Sequence, residues 1–104
     1  MMYKLEYLPT ALNDMVEIVK YISVELKNPI AANRLSEEFI KAAEGLTDFP
    51  YSNPVYTPMR PLKREYRKTV VENYIMFYWV DEANKIITIA RVLYRKRDYG
   101  KIIK

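Results

Sequence analysis

Residues 66–99 read YRKTVVENYIMFYWVDEANKIITIARVLYRKRDY, and the fold is decided inside them. Tyr74 to Val80 is the one uninterrupted apolar run. Seven residues are too few for a helix core, and Tyr, Ile, Phe, Trp and Val are strand formers, so the run predicts a central strand covered on both faces. Asp81 to Asn84 supplies a four-residue hairpin turn in which Asn84 tolerates left-handed geometry. A β-branched strand over 85–94 follows, and a basic tail, Arg95 to Tyr99, leaves it. Upstream, 66–71 reads as the strand before the apolar run.

Working back from this meander, the segment 50–61 contains prolines 50, 54, 58 and 61. Their stiffness lowers the entropy of ordering it, which predicts an ordered crossing loop and not a linker. Before it, Ala31, Leu35, Phe39, Ala42 and Leu46 form the stripe of a helix with Asn28 as N-cap and Pro29 at its first position. A further helix ends at Leu26 or Lys27, because Asn28 precedes a proline and is pushed from helical geometry. Its stripe is Leu12, Met15, Val16, Val19, Ile22 and Leu26, with Thr10 as N-cap and Asp14 placed favourably in the first turn. Two helices joined almost without a loop fold back as a hairpin. Tyr3 to Leu8 alternates as a first strand until Pro9. The expectation is a single α+β domain over 1–104, ordered βααβββ, with the helical hairpin packed on one face of a small, mainly antiparallel sheet.

Composition limits the chemistry. The chain has 104 residues, no cysteine and no histidine, which removes thiol catalysis, the commonest zinc ligands and the usual near-neutral proton shuttle. No cofactor or metal is expected. No apolar run approaches the roughly 20 residues that span a bilayer, and the N-terminus lacks a signal-peptide core, so the reading is cytoplasmic. Charge is uneven: residues 1–58 carry 5 Lys and Arg against 8 Asp and Glu, while residues 59–104 carry 12 against 5. The C-terminal half therefore suits an acidic or phosphate-bearing partner.

The element order, the opening YKLEYLPTALNDMVEIVKYI, the Pro50 loop leading to Arg60 and Leu62, and above all NYIMFYWVDEANKIITIARVLYRKRD together resemble the RelE/ParE superfamily of type II toxin–antitoxin toxins. The resemblance implies a growth-arresting protein neutralised by an acidic antitoxin. It also implies one of two targets: DNA gyrase, or mRNA on the ribosome. Against the RelE-like nucleases, Lys68 and Arg95 match basic positions and Tyr99 is a shifted match to the tail aromatic. Tyr66 stands where a second basic residue is usual, and Ile75 follows Tyr74 where an arginine is usual. The ParE-like branch is closer, which favours gyrase, with mRNA cleavage as the alternative. If the chain is a nuclease, Arg95, Lys68 and Tyr99 are the catalytic candidates. For target binding the candidates are Arg60, Arg91, Arg95, Lys96, Arg97 and Tyr99, with Asp98 a potential salt-bridge partner of Arg95. Arg91, on the apparent parity of Ile87, Ile89 and Leu93, either snorkels from a covered face or lines a concave one.

Chemistry bears on the choice of target. Cleaving RNA through its 2′-hydroxyl needs a base, a cation over the developing phosphorane charge and an acid for the leaving oxygen. Lys and Tyr start near pKa 10, so acting as base at pH 7 demands a shift of about 3 units. Glu65 and Glu72 are ionised without help but, at pKa ~4, are weak bases.

Overall fold

The structure is a computed structural model that describes residues 3–58 and 62–103. Strand β1 spans Lys4–Tyr7, helix α1 Pro9–Lys20, helix α2 Pro29–Leu46, and strands β2, β3 and β4 span Arg67–Val71, Tyr74–Asp81 and Ile86–Tyr94. The sheet order is β1-β4-β3-β2. β2, β3 and β4 form an antiparallel meander, and β1 joins β4 in parallel. The expected βααβββ order and mainly antiparallel sheet are present, with the helices packed on one face.

β3 is covered on both sides, as its unbroken apolar run requires. Met76 and Tyr78 face the helices with Ile87, Ile89 and Val92, against Met15, Leu35, Phe39 and Leu46. Ile75 and Phe77 face the other way with Ala90 and Leu93, against Tyr66 and Ile103, flanked by Tyr56, Leu62, Tyr99 and Ile102. The second cover thus comes from the proline-containing loop and the C-terminus. That loop is tied down by backbone bonds, Tyr56 N–H to the Tyr66 carbonyl at 2.7 Å, and by the fully buried Tyr78, whose hydroxyl donates to the Pro50 carbonyl at 2.8 Å. Trp79, expected in the core, is only half-buried. Its ring packs edge-on against Tyr66 at 5.7 Å and carries the Arg64 guanidinium at 4.3 Å.

Three local readings are corrected. Leu8, extended, is the N-cap of α1 and Pro9 its first residue, because proline's fixed φ already suits that position. Thr10 is released from capping, and its hydroxyl donates to the Ala90 carbonyl of β4 at 2.9 Å. In the β3–β4 turn the left-handed residue is Lys85, φ 55°, and not Asn84. Asn84 instead donates from its backbone and side-chain amides to the Asp81 carboxylate at 3.1 and 2.8 Å, bonds that hold Asp81 below the ordinary carboxylate range.

The third correction is the roll of α1. Ala11 and Met15 are its buried residues, with Ile18 and Ile22 packed beside them, whereas Leu12 and Val16 of the expected stripe are 48% and 63% exposed. The roll is fixed by polar contacts. Thr10 and Asp14, one turn apart, both bond to β4, and that turns the next positions, Ala11 and Met15, onto the sheet. Beyond Lys20 the helix widens into a π-turn over Tyr21–Glu25, with Leu26 N–H donating to the Tyr21 carbonyl at 3.1 Å. Lys27, φ 52°, stops it. Asn28 caps α2 as expected, accepting from Ala31 N–H at 3.1 Å.

Alkaline unfolding follows from this packing. Burial, the leading cause in each case, raises Tyr7, Tyr56, Tyr74 and Tyr78 above the ordinary tyrosine value. A folded-state pKa above the unfolded one gives stability that is complete below about pH 10 and is lost as pH rises through the folded values. Denaturant midpoints measured from pH 7 to 11.5 should hold to about pH 9.5 and then fall. A flat profile through pH 11 would contradict the assignment.

Candidate functional site

The basic tail begins where β4 leaves the sheet. Arg95 N–H donates to the Asn73 carbonyl at 2.9 Å, Arg97 N–H to that of Tyr94 at 3.0 Å and Tyr99 N–H to that of Arg97 at 2.8 Å. These turns fix the backbone while leaving the side chains of Arg95, Lys96 and Arg97 exposed. Among the described residues no carboxylate lies within ion-pair distance of the three. Asp98 is not the partner of Arg95; its ion pair is with Lys101 at 3.7 Å. The row therefore presents solvated, uncommitted positive charge.

A second group lies on the sheet face away from the helices. Lys68 is registered opposite Phe77, and its Nζ stands 5.6 Å and 5.9 Å from the ring centroids of Tyr56 and Tyr99. Tyr99 in turn packs on Phe77 at 5.3 Å and Tyr56 at 5.7 Å. The tyrosine faces attract the ammonium. Tyr56 was not singled out in the sequence: it lies among prolines, in a segment with no period to show which way it faces. Burial, with Tyr99 and Asp98 adding to it, raises the Tyr56 hydroxyl above its ordinary value, so it remains protonated at neutral pH.

The nuclease candidates are thus brought together only in part. Lys68 and Tyr99 share a cluster. Arg95 is anchored at Asn73, four residues along β3 from Phe77, the Lys68 partner, which is roughly 13 Å at about 3.3 Å per residue. Arg91 is registered opposite Phe77, in the row of Lys68, but its guanidinium is committed to Asp14. A β-bulge between Phe77 and Tyr78 leaves Ala90 as the extra residue of β4, which breaks the assumed parity: Val92, not Leu93, continues the face of Ile87 and Ile89. The Arg91 guanidinium donates to Asp14 at 2.7 and 2.8 Å, and those bonds hold it above its ordinary value against the opposing effect of burial. Arg60 lies outside the described residues.

The profile of the ParE toxin of type II toxin–antitoxin systems, parDE, matches residues 5–99. The chain belongs to that family. Solved structures carry the same fold. A chain from the chromosomal ParDE system of P. aeruginosa is 19% identical, with a TM-score of 0.71, over 89% of this chain and 96% of that one. A chain of the Mycobacterium tuberculosis RelBE2 toxin–antitoxin complex is 18% identical, with a TM-score of 0.66, over 91% and 100%. A mutant of E. coli toxin RelE in the free state is 14% identical, with a TM-score of 0.62, over 98% and 93%. No curated protein sequence matches. At these identities the structural likenesses speak for the fold, and the profile match makes this ParE-family chain a RelE/ParE superfamily toxin of a type II toxin–antitoxin system. Among its described residues no helix is long and apolar enough to cross a membrane.

Proposed function

We propose that this toxin arrests growth by binding DNA gyrase through its basic tail, and that an acidic antitoxin holds it silent. The observation that supports target binding by the tail is the state of its cations, and the scattering of the nuclease candidates favours gyrase over mRNA cleavage. Arg95, Lys96 and Arg97 are exposed and, among the described residues, unpaired, as a surface that meets a large anionic target should be. The nuclease candidates lack the constellation that chemistry needs. Lys68 is held over two tyrosine rings, Arg95 starts at the far end of the sheet, and the Tyr56 hydroxyl beside Lys68 is harder to ionise than free tyrosine, so the base form is scarcer. An antitoxin partner is supported by the ParE family itself and by structural relatives solved from ParDE and RelBE systems.

One observation favours ribosome-dependent mRNA cleavage as a second reading: Lys68, Tyr56 and Tyr99 do form a cationic, aromatic face, suited to stacked bases and phosphates. Such a nuclease would need the ribosome to supply the missing base. Two assays on purified toxin separate the readings. Inhibition of gyrase supercoiling, with mRNA intact in a translating extract, is the expected result. Untouched gyrase together with primer-extension stops inside ribosome-bound mRNA would reverse it.

A further inference from the structure

Beside the root of the tail, whose Arg95 N–H bonds the Asn73 carbonyl, the π-turn, the start of β3 and the end of β4 enclose an open cavity of about 730 Å³. Tyr21, Leu26, Tyr74 and Tyr94 give it an apolar interior, and Arg34 and Glu72 stand in its wall. The cavity depends on specific distortions. The π-turn carries Tyr21 and Leu26, and Glu72 occupies a left-handed position, φ 55°, unusual for that residue. From there the Glu72 carboxylate accepts from Arg34 Nη1 at 2.6 Å. Arg34 and Glu72 remain substantially exposed, 58% and 37%, so the pair is open to exchange. Burial, with Tyr94, Tyr21 and Glu72 adding to it, keeps the Tyr74 hydroxyl protonated and able to donate.

We propose that this cavity receives an acidic segment of the antitoxin: one carboxylate takes Arg34 over from Glu72, and a neighbouring apolar side chain enters between Tyr21, Tyr74 and Tyr94. The inference rests on the antitoxin reading above and adds the place and chemistry of one anchor. Charge and surface select the occupant. An anion already fills the position beside Arg34, so a partner carboxylate can take its place with Arg34 still paired, and the displaced Glu72, 37% exposed, is left to solvent. The cavity adjoins the C-terminal half, where 12 Lys and Arg face 5 Asp and Glu. Its rim is aliphatic where the π-turn ends: Leu26, which lines it, is 56% exposed. Such a rim is covered well by the apolar side chains of a peptide and poorly by the sugar-phosphate backbone of a nucleic acid. The tyrosines meet edge-on, Tyr74 and Tyr94 at 5.9 Å and 66°, and so offer a socket for a side chain and no open platform for stacked bases.

The test is titration calorimetry of the toxin with the protein encoded by the reading frame beside its gene. Because Glu72 competes with the incoming carboxylate, Glu72→Gln should tighten binding by about threefold, and Arg34→Ala should weaken it by about threefold or more. Tyr94→Ala should weaken it by ~10-fold or more. Both Glu72→Gln and Arg34→Ala abolish the same internal ion pair, so a merely structural role would move them in the same direction; opposite signs support displacement. Affinities unchanged in all three variants, or shifted the same way by the two charge variants, overturn the proposal while leaving the antitoxin reading standing. No binding by the unaltered toxin overturns both. A self-associating toxin whose dimer is broken by Leu26→Asp would give the cavity to a second copy. An oligonucleotide bound by the toxin and released by Tyr94→Ala would give it to nucleic acid. Either outcome overturns the proposal.

Discussion

Replacing Arg95, Lys96 and Arg97 together by glutamine should abolish growth arrest while leaving the fold intact. The three side chains are exposed, and only their backbone takes part in the turn that leaves β4. Exposed substitutions of this kind cost the folded state no more than about 0.5 kcal/mol. Against a charged target, each lost charge-assisted hydrogen bond is worth about 1.5–3 kcal/mol. Three lost together weaken binding on the order of 1,000-fold or more. Plating efficiency under induced expression should therefore return to that of cells without the toxin. Thermal melts of the variant in complex with the antitoxin should match the unaltered complex. Persistent arrest by a folded triple variant would move the working surface off the tail, and the Lys68 cluster would be next in line. Arg95→Ala alone should weaken arrest in the same direction.

Asp14→Ala should be the most damaging single change to stability. Asp14 accepts both Arg91 bonds and also the Val92 N–H at 2.9 Å, and the two side chains are only 12% and 27% exposed. Truncation leaves a half-buried guanidinium without its counter-charge and a backbone N–H without an acceptor, a loss of about 3 kcal/mol. For a chain of this size each kcal/mol moves Tm by roughly 4–8 °C, so circular dichroism should record a fall of more than about 10 °C. Asp14→Asn, which still offers an acceptor to Val92, should fall between the two. A Tm within about 2 °C of the unaltered protein for Asp14→Ala would mean that α1 is held by its apolar face alone. The pair also bears on the choice of target surface, since Arg91 would have to leave Asp14 to serve a partner.

Where the sequence was legible, periodicity and punctuation carried the signal. The run from Tyr74 to Val80 announced a strand covered on both faces, and the observed β3 buries Ile75, Met76, Phe77 and Tyr78. Asn28-Pro29 marked the start of α2 to the residue, because proline's fixed φ suits the first helical position, while the end of the first helix, expected at Leu26 or Lys27, passes instead into the π-turn after Lys20. The basic run Arg95 to Arg97 was visible as charge. Its lack of a partner was not visible, since Asp98, one residue on, looked like one and instead pairs with Lys101.

What the amino-acid sequence determined by itself is the list of elements, their order, and the sorting of charge into the C-terminal half; these follow from local conformational preference and from alternation along the chain. The tertiary structure alone decided the roll of α1, the parity of β4 beyond Ala90, the joining of Lys68 to Tyr56 and Tyr99, and the meeting of Arg34 with Glu72. Each of these depends on two segments far apart in the chain. A bulge of one residue reverses every side chain after it, and the hydrogen bonds that Thr10 and Asp14 make with β4 rotate a whole helix. Such contacts are selected by the closing of the core, a condition on the entire chain that no local stretch contains.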